Sequence, residues 1–374
     1  MLSSVLDVFR LRQYFNVITR LREVGQGIRA DAGLLSDARR ALVTLPFDRA
    51  EPVERHPFPP MSRDAVDGLA GRRVALIATG GSGALASVVG AARAFEEAGV
   101  APSVISLCSG SALFGFPIAA GVPSDEVAEF CIGLRPSDYV DVNWPALARL
   151  LPSAARGFGG VIQGDRLEAT YRRFLGDRTL GDLAIPAYAP LWNVEANRVD
   201  YVGPRTHPDM PVARAVHMAV ALPLFVQPAA LDGLYWCDGG IVDIFPVRPV
   251  LELEPPSAAA VAINGFYPPR FAGEDATGWQ DQSWSILRVA SQVRTCQQVE
   301  LARANLASLE QAMPTVMIEP VSYEMVRGVG FYRQFLSTRD WPGFMAEGRV
   351  HTHRALCRLG RMMEPEGAGP TSGQ

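Results

Sequence analysis

Apolar and polar positions follow two rhythms along this chain. Short, mainly apolar runs occur at Val74-Ala75-Leu76-Ile77-Ala78, Val104-Ile105-Ser106-Leu107-Cys108, Ala259-Ala260-Val261-Ala262-Ile263 and Thr315-Val316-Met317-Ile318. Runs of this length, rich in branched residues, predict strands buried on both faces. Between them apolar residues recur at helical spacing. That spacing predicts helices over 84–98, with Gly99 as C-cap, and from Ser111 to about Ala120. It also makes 124–175 mostly helical and predicts helices over 211–221, 280–312 and 342–360. Residues 186–202 alternate like a hairpin, and 234–237 form a short strand ahead of Asp238. Strand–loop–helix–strand–turn–helix is the pattern of an α/β fold, a central, mostly parallel sheet flanked by helices.

The chain ends read differently. In 1–45, Leu2, Val5, Leu6, Phe9, Val17, Ile18 and Leu21 share a helical period with Arg10, Arg12, Arg20 and Arg22. A basic amphipathic helix of this kind either packs on the following domain or makes peripheral membrane contact on an anionic surface. Residues 46–62 are proline-rich and read as a connector. The expected organisation is a helical N-terminal extension and connector over 1–62, a catalytic domain over 63–360 and a disordered tail over 361–374.

Composition narrows the function classes. A net charge of -4 argues against nucleic acid as a partner. All 35 basic residues are arginine, which excludes a Ser-Lys dyad and a Schiff-base lysine. The five cysteines are odd in number and lack metal-ligand spacing, so a reducing, cytoplasmic setting is expected. Cys108 and Cys237 read as small buried hydrophobes on strand ends. No apolar run reaches the roughly 18–20 residues of a membrane span, and the N-terminus lacks the form of a signal peptide.

Three short motifs carry candidate chemistry. Thr79-Gly80-Gly81-Ser82-Gly83 closes the first strand. Glycines there let backbone amides approach an anion, either an oxyanion or a phosphate. The dinucleotide fingerprint and the Walker lysine are both missing, which favours the oxyanion. Ser109-Gly110-Ser111-Ala112 lies at a strand-to-helix turn, where a serine hydroxyl can be exposed as a nucleophile or can simply cap the helix. Ser111, between the small residues Gly110 and Ala112, is the candidate. Ser109 lies on the strand side, and its side chain is expected to point elsewhere. Asp238-Gly239-Gly240 follows an apolar tetrad that would desolvate the carboxylate and raise its pKa; the plain alternative is an Asp-Gly turn.

The order and spacing of these motifs resemble those of the patatin-like phospholipases. The family has a G-G-G-x-[RK]-G loop after the first strand, a G-x-S-x-G elbow and a downstream D-G-[GA]. The flanks "GAARAFEEAGV" and "AVHMAVALPLFVQPAALDGLYWCDGGIVDIFPV" are also similar, and the likeness covers about 73–265 well and extends more faintly to 360. The resemblance implies a three-layer α/β/α fold. It implies Ser111 as nucleophile, Asp238 as general base and an oxyanion hole from the backbone of Gly80, Gly81 and Ser82. Gly110, Ala112, Gly239 and Gly240 would support the two turns. It further implies a lipid or acyl-ester substrate and a dyad working without histidine, metal or cofactor. The chain departs from the pattern at Ser82, Ala84 and Leu85 in the loop, and at Ser109 and Leu113 in the elbow. A non-catalytic lipid- or acyl-binding protein is therefore an alternative. So is a Ser-His-Asp triad using His351 or His353, although an arginine-flanked helix around them favours a solvated face.

Overall fold

The computed structural model describes residues 63–143, 159–272, 286–326 and 331–364, the last without 332, 333 and 336. The expectations for 1–62 and for the last ten residues lie outside the described residues. In chain order the strands and longer helices are β1 (Val74–Ala78), α1 (Ser87–Ala98), β2 (Pro102–Ser106), α2 (Gly110–Ala119), α3 (Ser124–Gly133), β3 (Gly160–Ile162), α4 (Asp165–Leu175), β4 (Ala187–Asn193), β5 (Arg198–Val202), α5 (Val212–Ala219), β6 (Leu224–Val226), β7 (Ala229–Leu231), β8 (Leu234–Asp238), β9 (Ala259–Ile263), α6 (Ile286–Ala312), β10 (Thr315–Ile318) and α7 (Trp341–Met363).

The main sheet runs β10-β9-β1-β2-β4-β8-β7, with β5 also paired to β4. Pairings from β10 through β4 are parallel, while β4–β5, β4–β8 and β7–β8 are antiparallel. Alternation along the buried strands feeds two cores. Val74, Leu76 and Ala78 of β1 point into one, and Ala75 and Ile77 into the other. The first core is covered by α1, α2, α5 and α7, through residues such as Phe95, Phe114, Val216 and Leu356. The second is covered by α6 through Ala302, Leu306 and Leu309. Two helical layers on a mostly parallel sheet form the expected three-layer architecture.

Several boundaries differ from the sequence reading. β2 spans Pro102–Ser106, two residues early, so Leu107 and Cys108 already lead into the turn. The stretch expected as helix over 124–175 contains β3, which pairs in parallel with β6 in a small second sheet. Strands β6 and β7 were not anticipated. They are three residues long, and Pro223 and Pro228 punctuate them, so no alternation develops.

The topology places two of the candidate motifs at the carboxyl ends of neighbouring strands. β1 has β2 on one side and the late strand β9 on the other. Loops leaving the carboxyl ends of such neighbours diverge, which is where α/β sheets bind ligands. The glycine loop follows β1, and the Ser109–Ser111 turn follows β2.

Candidate functional site

The strand-to-helix turn after β2 is sharp because of one residue. Ser109 has φ 49° and ψ -124°, a conformation that L-residues avoid. It is the N-cap of α2, yet its hydroxyl makes no capping bond. The hydroxyl lies instead beside the carboxylate of Asp238, close enough to pull that group's pKa down. Sheet register explains the meeting. Ser106 pairs with Tyr188 of β4, and three residues further along β4, Leu191 pairs with Asp238. Ser109 is three residues beyond Ser106, so the two motifs arrive level with each other.

Ser111, expected to face Asp238, does not. It is fully buried, and its Oγ donates to the Cys108 carbonyl at 2.8 Å and accepts from the Cys108 amide at 2.7 Å. A serine in the first helical turn lies directly over the residue three positions back, and its hydroxyl is captured by that backbone. The serine that meets Asp238 is the one on the strand side, because a positive-φ residue swings its side chain out of the strand's alternation. Centring the G-x-S-x-G pattern on Ser109 leaves Leu107 and Ser111 in the two glycine places. The cue available in the sequence was the turn itself: a helix starting at Gly110 makes Ser109 the corner residue.

Asp238 is 2% exposed. Its Oδ1 accepts from the Gly240 amide at 2.8 Å. Burial pushes its pKa up to about 7, against the opposing pull of the Ser109 hydroxyl and the Gly240 hydrogen bond. Gly240 has to be small, since a Cβ there would stand 2.6 Å from Cys108 Sγ and 2.9 Å from Asp238 Oδ1. The rest of this segment is pinned to the neighbouring loops. Cys108 Sγ donates to the Asp243 carbonyl, and Ser106 Oγ to the Pro246 carbonyl. Asp243 itself, missed in the sequence, is buried and accepts from Tyr201 Oη and, at 3.0 Å, from Asn305 Nδ2. Cys108 and Cys237 are buried free thiols with pKa values raised by burial.

The glycine loop stacks on the elbow. A Cβ on Gly110 would lie 2.2 Å from the Gly81 carbonyl oxygen, and one on Gly80 would lie 3.3 Å from Ser109 Cβ. The three amides expected to be free are not equivalent. Gly80 N–H is spent on the Ile244 carbonyl at 2.9 Å. Among the described residues, the amides of Gly81, Ser82 and Gly110 have no hydrogen-bond acceptor. Gly110, the residue after Ser109, adds the first N–H of α2 and the positive end of its dipole. Leu85, at the place of the family's last glycine, fills the volume beside Gly81 and Gly265. Ala84 is buried, so no basic group replaces the family's arginine or lysine there.

Among the described residues, no histidine takes part in this constellation. His351 and His353 lie on α7, with His351 near Glu347 at 3.7 Å. His217 faces Glu168 at 3.2 Å. Among the described residues none hydrogen-bonds Asp238, and no cluster of three or more metal-ligating side chains occurs. No described helix is long and apolar enough to cross a membrane.

Fold and site together define an α/β protein with a strained serine elbow, a buried carboxylate and a glycine loop at one end of its sheet. Residues 76–251 match the family model for patatin-like phospholipase. An uncharacterized NTE family protein of Mycobacterium tuberculosis is 27% identical over 200 residues, which cover 54% of this chain and 51% of that protein. The chain thus matches about half the length of such relatives. Among solved structures, VipD from Legionella pneumophila aligns with TM-score 0.43 and 14% identity over 77% of this chain and 67% of that one. Human GIVD cytosolic phospholipase A2 aligns with TM-score 0.43 and 12% identity over 81% and 63%.

Proposed function

We propose that this protein is a serine acyl hydrolase acting on carboxylic esters of lipids, with Ser109 as nucleophile and Asp238 as general base. The observation that carries this reading is a strained, uncapped serine that the sheet register brings level with a buried carboxylate whose pKa lies near neutrality. A base with that pKa is half ionised near pH 7 and can both take and return a proton. The family match supports the lipid part of the reading.

The steps follow from the chain's own groups. Asp238 accepts the Ser109 hydroxyl proton as Oγ attacks the ester carbonyl carbon. Negative charge then develops on the carbonyl oxygen. The amides of Gly81 and Gly110, with Ser82 beside them, stabilise it. Collapse expels the alcohol, which takes the proton from Asp238 and leaves an acyl-Ser109 ester. Water enters, gives a proton to Asp238 and releases the acid, and the proton returns to Ser109.

Paired substitutions test the assignment. Ser109→Ala should lower kcat on p-nitrophenyl butyrate and on phosphatidylcholine vesicles by about a thousandfold or more. Ser111→Ala loses only hydrogen bonds to Cys108 and should stay within about tenfold of the parent. The reverse pattern would return the nucleophile to Ser111.

A further inference from the structure

One wall of the site has no part in the steps above. Beside Gly81 stands the segment that leaves β9. Its Gly265 amide donates to Thr79 Oγ1 at 3.1 Å, which fastens the segment to the start of the glycine loop. The next residue, Phe266, has its Cβ 3.3 Å from where a Cβ on Gly81 would be. Phe266 is half-buried and begins a ladder of half-buried aromatic rings. Its ring lies 5.1 Å from Phe331, edge-on, and Phe331 lies 5.6 Å from Phe335. Asn264 holds this loop by accepting from the Tyr267 amide at 3.0 Å and donating to the Tyr267 and Pro268 carbonyls.

We infer that the Phe266–Phe331–Phe335 ladder is the acyl-chain wall of the site, and that it selects long unbranched acyl groups. This rests on the ester-hydrolase reading above. The geometric reason is direct. In an acyl-Ser109 ester the carbonyl oxygen lies against the Gly81 and Gly110 amides, so the first methylenes of the acyl chain leave from beside Gly81. The ladder is the apolar surface that adjoins that point. Three rings spaced about 5 Å apart give contact to many successive methylenes, whereas a short acyl group reaches the first ring alone. Each buried methylene adds binding, so the effect accumulates with chain length.

The test compares p-nitrophenyl butyrate with p-nitrophenyl laurate, read as kcat/KM for the wild type and for Phe266→Ala, Phe331→Ala and Phe335→Ala. The wild type should prefer laurate. Phe331→Ala and Phe335→Ala, whose rings stand off the oxyanion loop, should cut the laurate-to-butyrate ratio by about tenfold. Phe266→Ala should cut it at least as far. Circular dichroism melting of each variant accompanies the kinetics. Losses equal for both esters, or no change in the ratio, would overturn the assignment of the wall while leaving the hydrolase reading in place. A wild type that hydrolyses neither ester would overturn the hydrolase reading itself, and the wall with it.

Discussion

Asp238 is the residue at which stability and chemistry conflict. A carboxylate with a reference pKa near 3.9 has been carried to about 7, chiefly by burial. Its folded pKa lies above its unfolded one. The stability tied to the bound proton is therefore fully present below about pH 4 and is lost as pH rises through 7. Within that window each pH unit costs up to about 1.4 kcal/mol. Asp238→Asn keeps an oxygen for the Gly240 amide and an amide group toward Ser109 Oγ, but carries no charge. We predict that it destroys activity and raises the melting temperature relative to wild type, by a margin that widens between about pH 4 and 7 and then levels off. A margin independent of pH would mean that the carboxylate is not desolvated. In the wild type, kcat/KM should rise with pH through about 7 as the base ionises.

At the scale of elements, the site is a contact between two loops. The glycine loop after β1 touches the first turn of α2 through Gly81 and Gly110, with backbone against backbone. Helix propensity favours alanine over glycine at Gly110 by about 1 kcal/mol. The packing opposes it, because the added methyl would sit 2.2 Å from the Gly81 oxygen, a main-chain atom that cannot swing aside. Packing should win. Gly110→Ala is predicted to spread the oxyanion amides and lower kcat by on the order of a hundredfold. A kcat equal to wild type would show that the loops do not need this contact.

At the scale of the whole molecule, much was legible because buried parallel strands announce themselves. β1, β9 and β10 were anticipated residue for residue, since each is a mainly apolar run between polar loops. The hairpin β4–β5 was legible from its alternation. The short strands β3, β6 and β7 were not, because three residues carry no period. The motif order brought the three loops together, while the contacts within them follow from local backbone conformation. Sequence spacing alone cannot distinguish Ser109 from Ser111. The distinction depends on a single positive φ at the corner and on a hydroxyl captured by the Cys108 backbone. Likewise Gly80 looked equal to Gly81 until its amide was found bonded to Ile244, a partner far along the chain.

The most direct measurement is to label the wild-type protein with an alkyl fluorophosphonate and locate the adduct by peptide mass spectrometry. The account predicts phosphonylation of Ser109 and strongly slowed labelling in Asp238→Asn. An adduct on Ser111, or ester hydrolysis by a protein that takes no label at Ser109, would contradict it.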